Sequence, residues 1–262
     1  MRALPALLSI AFSLLTIAPV NGELALTPAQ ARKIGQQLWK NECAGTVEGL
    51  TSWNKGEDFP SLGIGHFIWY PKGVRPTFEE SFPSMIRHLE ARGARAPAWV
   101  TAARHCPWPD RQSFLAEKDG PRLRGLRDYL AQTVGLQAEF AAQRARRALP
   151  KLLAAAPAAR RATLQRRYDA VSTTPQGVYA LVDYVNFKGD GTNPAERYRG
   201  QGWGLLQVLE EMRPAPPGPP AATEFAAAAK RVLGRRIANA PRPESQWRAG
   251  WFSRCDSYAR PF

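Results

Sequence analysis

Glu42 stands where a carboxylate could do acid–base work. Ala31, Ile34 and Leu38 recur three and four residues apart, the mark of one apolar helix face, and Glu42 is the next position on that stripe. Thr27 is placed as an N-cap, Pro28 suits a first helical position and Gly45 can close the helix. A carboxylate on a buried face loses solvation, which disfavours its charged form. That is the environment a general acid needs. A rim position, or pairing with one of the many arginines, is the plainer alternative.

The second feature is "SLGIGHFIWYP", Ser61 to Pro71. Its alternation predicts a β-hairpin or small sheet over 61–70, with Leu62, Ile64, Ile68 and Tyr70 on one side. Ser61, Gly63, Gly65, Phe67 and Trp69 fall on the other. Glycine weakens a strand unless something must come close. Bare backbone at Gly63 and Gly65 would let a flat glycan lie against the sheet. Phe67, Trp69 and the preceding Trp53 could stack on sugar rings or fill a core. A bulge or a close helix contact would explain the glycines equally well.

A glycosidase of the two-carboxylate type needs a second acid. Glu48, Glu57 and Asp58, in the loop before the strand, are the candidates. His66 could bind metal with His88 or His105, but no close Cys/His spacing supports a metal site. Cys43 beside Glu42 is ill placed for a thiolate. No phosphate-binding glycine loop is present, and no cofactor is implied.

The elements that must position these residues are mainly helical. A short helix broken near Pro83 is expected after Pro71. Two helices follow, parted near Gly120 and Pro121, and then a helix-prone segment broken at Pro150 and Pro157. Val178, Leu181, Val182 and Val185 form a buried stripe on a helix ending at Gly189. "GQGWGLLQVLEEM" reads as a turn and helix. Residues 213–223 form a proline-rich surface connection. The last forty residues, with a helix and an aromatic tail, are too few for their own core and should pack back.

Residues 1–22 have the layout of a secretory signal peptide: Arg2, an apolar run, then small residues at Val20 and Gly22. The run is too interrupted for a permanent membrane span. About 240 residues then remain, enough for one domain, taken as a monomer. A net charge of +14 suits an anionic partner. Export favours a wall polymer or outer-membrane lipid over nucleic acid. Cys43, Cys106 and Cys255 allow one disulfide. Cys106 with Cys255 would tie the tail to the middle of the chain.

A helix ending in a glutamate, a turn-rich loop and a strand reading Ser/Thr-x-Gly-x-Gly-His together resemble the lysozyme-like superfamily, nearest the phage-type lysozymes (glycoside hydrolase family 24). "ALVDYVNFKGDG", Ala180 to Gly191, resembles that family's later helix. The whole chain also resembles an uncharacterised family of exported bacterial proteins. The resemblance implies an α+β, predominantly α, bilobal fold with its cleft between a small sheet and a helical lobe. It implies cleavage of the β-1,4 glycan of peptidoglycan. Glu42 matches the family's acid by its helix-end position, Glu48 by its local "EGL". Ser61 matches the family's threonine. The middle aspartate has no clear counterpart, with Glu57 and Asp58 nearest. Gly63, Gly65 and His66 would shape the cleft floor, and Asn186 and Gln207 its helical wall. "GQGWGLLQVLEEM" resembles lytic transglycosylases, which use one glutamate as acid and then base. Two other classes stand beside the enzyme: a non-catalytic wall-binding scaffold, and an assembly factor acting through the tail "WRAGWFSRCDSYARPF".

Overall fold

A computed structural model describes residues 26–76, 78–194 and 196–261. The predicted leader, 1–22, lies outside the described residues. The chain is α+β and mostly helical.

Helix α1 (Pro28–Cys43) forms as its end signals predict. The Thr27 hydroxyl accepts from the Gln30 N–H at 3.3 Å, and the Gln30 side chain accepts from the Thr27 N–H at 2.8 Å. This reciprocal capping satisfies two otherwise orphaned donors. Ala44, in the left-handed region at φ 53°, closes the helix one residue before Gly45. Ala31, Ile34 and Leu38 are fully buried. They pack toward the long helix α6 (Val134–Ala155) and helix α8 (Pro175–Lys188).

A 3₁₀ turn (Glu48–Leu50) leads into a small antiparallel sheet of β1 (Thr51–Ser52), β2 (Ser61–Leu62) and β3 (Phe67–Ile68). Thr51 pairs with Leu62, Ser61 with Ile68, and Leu62 with Phe67. The expected alternation over 61–70 does not hold. Residues 63–66 are a tight turn, with Gly63 at φ 72° and His66 at φ 48°. The turn breaks the two-residue period, so Leu62, Ile64, Phe67 and Trp69 are all buried.

Helices α2 (Phe82–Ala91), α3 (Ala98–Ala102), α4 (Arg111–Ala116) and α5 (Pro121–Gln132) follow. Pro83 starts α2 rather than breaking it, because a first-turn proline forfeits only an N–H that has no partner in the helix. Likewise α6 runs through Pro150, held by buried Leu149 and Leu152 on either side. Only Pro157 marks a real boundary, before α7 (Ala158–Ser172). A second hairpin, β4 (Arg197–Tyr198) and β5 (Gln201–Gly202), precedes α9 (Leu205–Glu211). The proline-rich connection is shorter than expected, since α10 (Pro219–Asn239) already starts at Pro219. Helix α11 (Arg248–Ser257) packs back on α10, burying Cys255 and Tyr258.

The three cysteines are buried and unbridged. Cys43 lies under the β2–β3 turn, where its thiol donates to the Gly63 carbonyl; Cys106 donates to Trp108, and Cys255 lies in α11. The Cys106–Cys255 bridge is therefore not formed: each thiol is held within its own surroundings. Among the described residues, no helix is long and apolar enough to cross a membrane.

Candidate functional site

Glu42, at the last turn of α1, is held from two sides. One carboxylate oxygen accepts a hydrogen bond from Arg254 Nη2 of α11. The other lies 3.9 Å from His66 Nδ1 on the β2–β3 turn, beyond direct hydrogen bonding. The Glu42 side chain keeps 14% of its surface exposed, so a ligand can reach it.

Arg254 is shared. Its Nε and Nη2 also grip Asp183 of α8, at 2.7 and 2.8 Å. Asp183 is fully buried and accepts further bonds from the Tyr258 hydroxyl (2.6 Å) and Asn41 Nδ2 (3.0 Å). Asn41 also donates to Tyr179 Oη at 2.8 Å, and Tyr179 meets Ser257 at 2.8 Å. The network thus ties the end of α1, the middle of α8 and the C-terminal helix together. Burial pulls the Arg254 guanidinium down, but the facing Asp183 carboxylate, with Glu42 behind it, outweighs burial and holds it firmly protonated. Burial, and then Asp183, pushes the Tyr258 and Tyr179 hydroxyls far up, so both stay protonated donors.

One guanidinium between two carboxylates leaves one negative charge in excess when both are ionised. Asp183 has four bonds that need its charged oxygens, whereas Glu42 has one. Glu42 is therefore the less engaged carboxylate of the pair.

The two glycines of the turn have a different explanation from an open glycan surface. A Cβ at Gly63 would lie 2.4 Å from Gln137 Oε1, and one at Gly65 2.7 Å from the Phe67 ring. Gln137, wholly buried in α6, accepts from the Ile64 N–H at 3.0 Å and donates to the Leu130 carbonyl at 2.7 Å. The protein's own side chains come close to the bare backbone. The aromatics are core too. Trp53 meets Phe114 edge-on at 5.7 Å and donates to the Glu57 carbonyl, Phe67 packs on Phe140, and Trp69 packs on Phe82.

The remaining predicted residues are scattered around this cluster. Ser61 is only 4% exposed, which leaves its hydroxyl little access to a substrate. Glu48 is exposed at the start of the 3₁₀ turn, and Asp58 is exposed in the loop. Glu57 is half-buried; its Oε2 is enclosed without a hydrogen-bond partner among the described residues, as is Asn186 Nδ2 on α8. Gln207 caps α9: its oxygen accepts from the Gly204 N–H at 3.0 Å and its amide donates to the Gly191 carbonyl at 3.2 Å. It is therefore structural rather than a free substrate contact. Burial, and then Glu42, pushes the Cys43 thiol up to about 12, which removes it as a nucleophile. Among the described residues, no three His, Cys, Asp or Glu side chains gather as metal ligands.

Sequence reading had no reason to choose Asn41, Gln137, Arg254 or Tyr258. Asp183 did carry a signal: like Glu42, it is an acid inside an apolar helix face. No family model, no curated protein and no solved structure matches the chain.

Proposed function

We propose that the protein is an exported, monomeric glycosidase of lysozyme-like bilobal fold that cuts the β-1,4 glycan of peptidoglycan, with Glu42 as its acid. One observation carries this reading. Glu42 is a partly exposed carboxylate at a helix end, braced from behind by a fully partnered Arg254–Asp183 pair and faced by His66 on the β2–β3 turn. Glu42 gives its proton to the leaving glycosidic oxygen, and Arg254 fixes the side chain's direction. Asp183 cannot serve as the second carboxylate, because its oxygens are engaged by Arg254, Tyr258 and Asn41. This favours the single-glutamate route, in which Glu42 next acts as base and the substrate's own hydroxyl replaces water.

The second reading, a wall-binding protein without activity, is favoured by two observations. Arg254 already occupies one Glu42 oxygen, and the glycine backbone is covered by Gln137 and Phe67. Mass spectrometry of material released from purified peptidoglycan separates the readings. The single-glutamate route predicts anhydro ends, lighter than reducing ends by one water. Binding to the wall with no released fragment, across pH and salt, favours the second reading.

A further inference from the structure

An open depression of about 480 Å³ lies where the β4–β5 hairpin meets α7, α9 and α10. Arg160, Arg197 and Arg235 line it, with Glu210 and Glu211 and the hairpin backbone at Gly200. The arginines are not used up by the acids. Arg160 lies 3.6 Å from Glu210 yet is 64% exposed; Arg235 bonds Glu211 yet keeps 42% exposure. Among the described residues, Arg197 makes one long side-chain bond, 3.4 Å, to the Gly200 carbonyl. A guanidinium has five N–H donors, so each retains several for a ligand.

The hairpin itself is built in a costly way. Its two-residue turn places both Arg199 and Gly200 at positive φ, 50° and 76°. Such turns usually take Asn or Gly, because a side chain crowds the backbone in the left-handed region. Arg199 is exposed, and among the described residues no carboxylate pairs with it or with Arg197. The strain thus has no return among the described residues. The root of the hairpin, in contrast, is pinned. Tyr198 packs at a tilt against Trp203, ring centres 4.5 Å apart, and donates to Glu244 at 3.1 Å, and Arg236 lies over both rings. The tip cations are therefore held out on a rigid base.

We infer that this depression and the hairpin tip bind the repeating oxyanions, phosphodiester or carboxylate, of an anionic extracellular polymer. The site is separate from Glu42. It rests on the preceding reading only for the wall origin of its partner. Arginines carried on a pinned hairpin root suit such a chain, since guanidinium groups bind oxyanions through paired N–H groups.

The test uses poly(glycerol phosphate) and polygalacturonate, neither of which requires cleavage to be measured, with affinity read by calorimetry at two salt concentrations. The Arg197→Gln/Arg199→Gly pair is compared with Arg95→Gln/Arg124→Gln, the same charge change at exposed positions on other elements. The hairpin pair should bind at least one polymer about tenfold more weakly and with a shallower salt dependence, while the control pair stays within about twofold of the parent. The hairpin pair should melt no lower than the parent, because glycine relieves the turn. The polymer bound by the parent identifies the oxyanion. Equal losses in both pairs, or no binding of either polymer by the parent, would overturn the proposal. Binding that persists with no glycan release would instead count against Glu42 chemistry and leave this site standing.

Discussion

The two hairpins use the same backbone device for different ends. Each carries a non-glycine residue at positive φ, His66 at 48° and Arg199 at 50°. The β2–β3 turn is locked from below: Gln137 and Phe67 fill the space over Gly63 and Gly65, and its strain holds His66 toward Glu42. Over Gly200 in the β4–β5 turn, nothing among the described residues lies within 4 Å of where a Cβ would sit. The first turn is part of the core and the second only rests on it. Backbone strain therefore marks both as places of interest, but burial separates a turn that positions a residue from one that displays it.

That contrast can be broken most forcefully behind the first hairpin. Arg254→Ala takes from the fully buried Asp183 its cationic partner, leaving only the Tyr258 and Asn41 bonds, and should cost about 3–5 kcal/mol in denaturant unfolding. A loss under about 1 kcal/mol would mean the network does not brace Glu42. Gly63→Ala comes next. Its methyl meets Gln137 at 2.4 Å from a φ of 72°, so a loss of about 3 kcal/mol is expected.

Lys188 belongs to the stack between the two regions. Its ammonium lies 3.5 Å from the Trp251 ring centre and 4.0 Å from that of Phe187, with Arg254 over Phe187 and Arg236 over Trp251. Burial, and then the Arg236 charge, lowers it to about 7. Its folded value is thus below the unfolded one near 10.4. Between these values the unfolded chain binds more protons, so this group makes stability rise with pH from about 7 upward. Between pH 7 and 8.5 the rise should reach about 1.5 kcal/mol, and Lys188→Met should flatten it. Above that, the three buried thiols, raised to about 12 chiefly by burial, act in the opposite direction. A wild-type slope equal to the variant's would remove Lys188 from the account.

The smallest effects sharpen the second hairpin. Gly200→Ala should cost only about 1 kcal/mol, since φ alone opposes it. Arg199→Gly should gain about 0.5 kcal/mol, as strain relief exceeds the added chain entropy. If Gly200→Ala proved as harmful as Gly63→Ala, the distinction between the turns would fail.

Much of what surrounds Glu42 was legible where the signal is local. Thr27, Pro28 and the Ala31–Leu38 stripe specify α1 and place Glu42 at its end without reference to the rest of the chain. The glycines of the β2–β3 turn announced a close approach, but not by what. Gln137 arrives from a helix, 73 residues beyond the Ile64 it bonds, and nothing near it in sequence distinguishes it from other helix glutamines. Arg254 is one arginine among many and acquires its role only when α11 docks. Alternation misled at 61–70 because two positive-φ residues reset the strand phase. Proline misled at 83 and 150, where helix position and packing decide its effect rather than its presence.

The most direct test of the account is glycan release from purified peptidoglycan by the wild type, Glu42→Gln and Glu48→Gln, measured side by side with folding checked by circular dichroism. The account predicts a loss of about 10³-fold for Glu42→Gln and a change within about threefold for the exposed Glu48→Gln. A folded Glu42→Gln protein that releases fragments at the wild-type rate, with Glu48→Gln inactive, would contradict it.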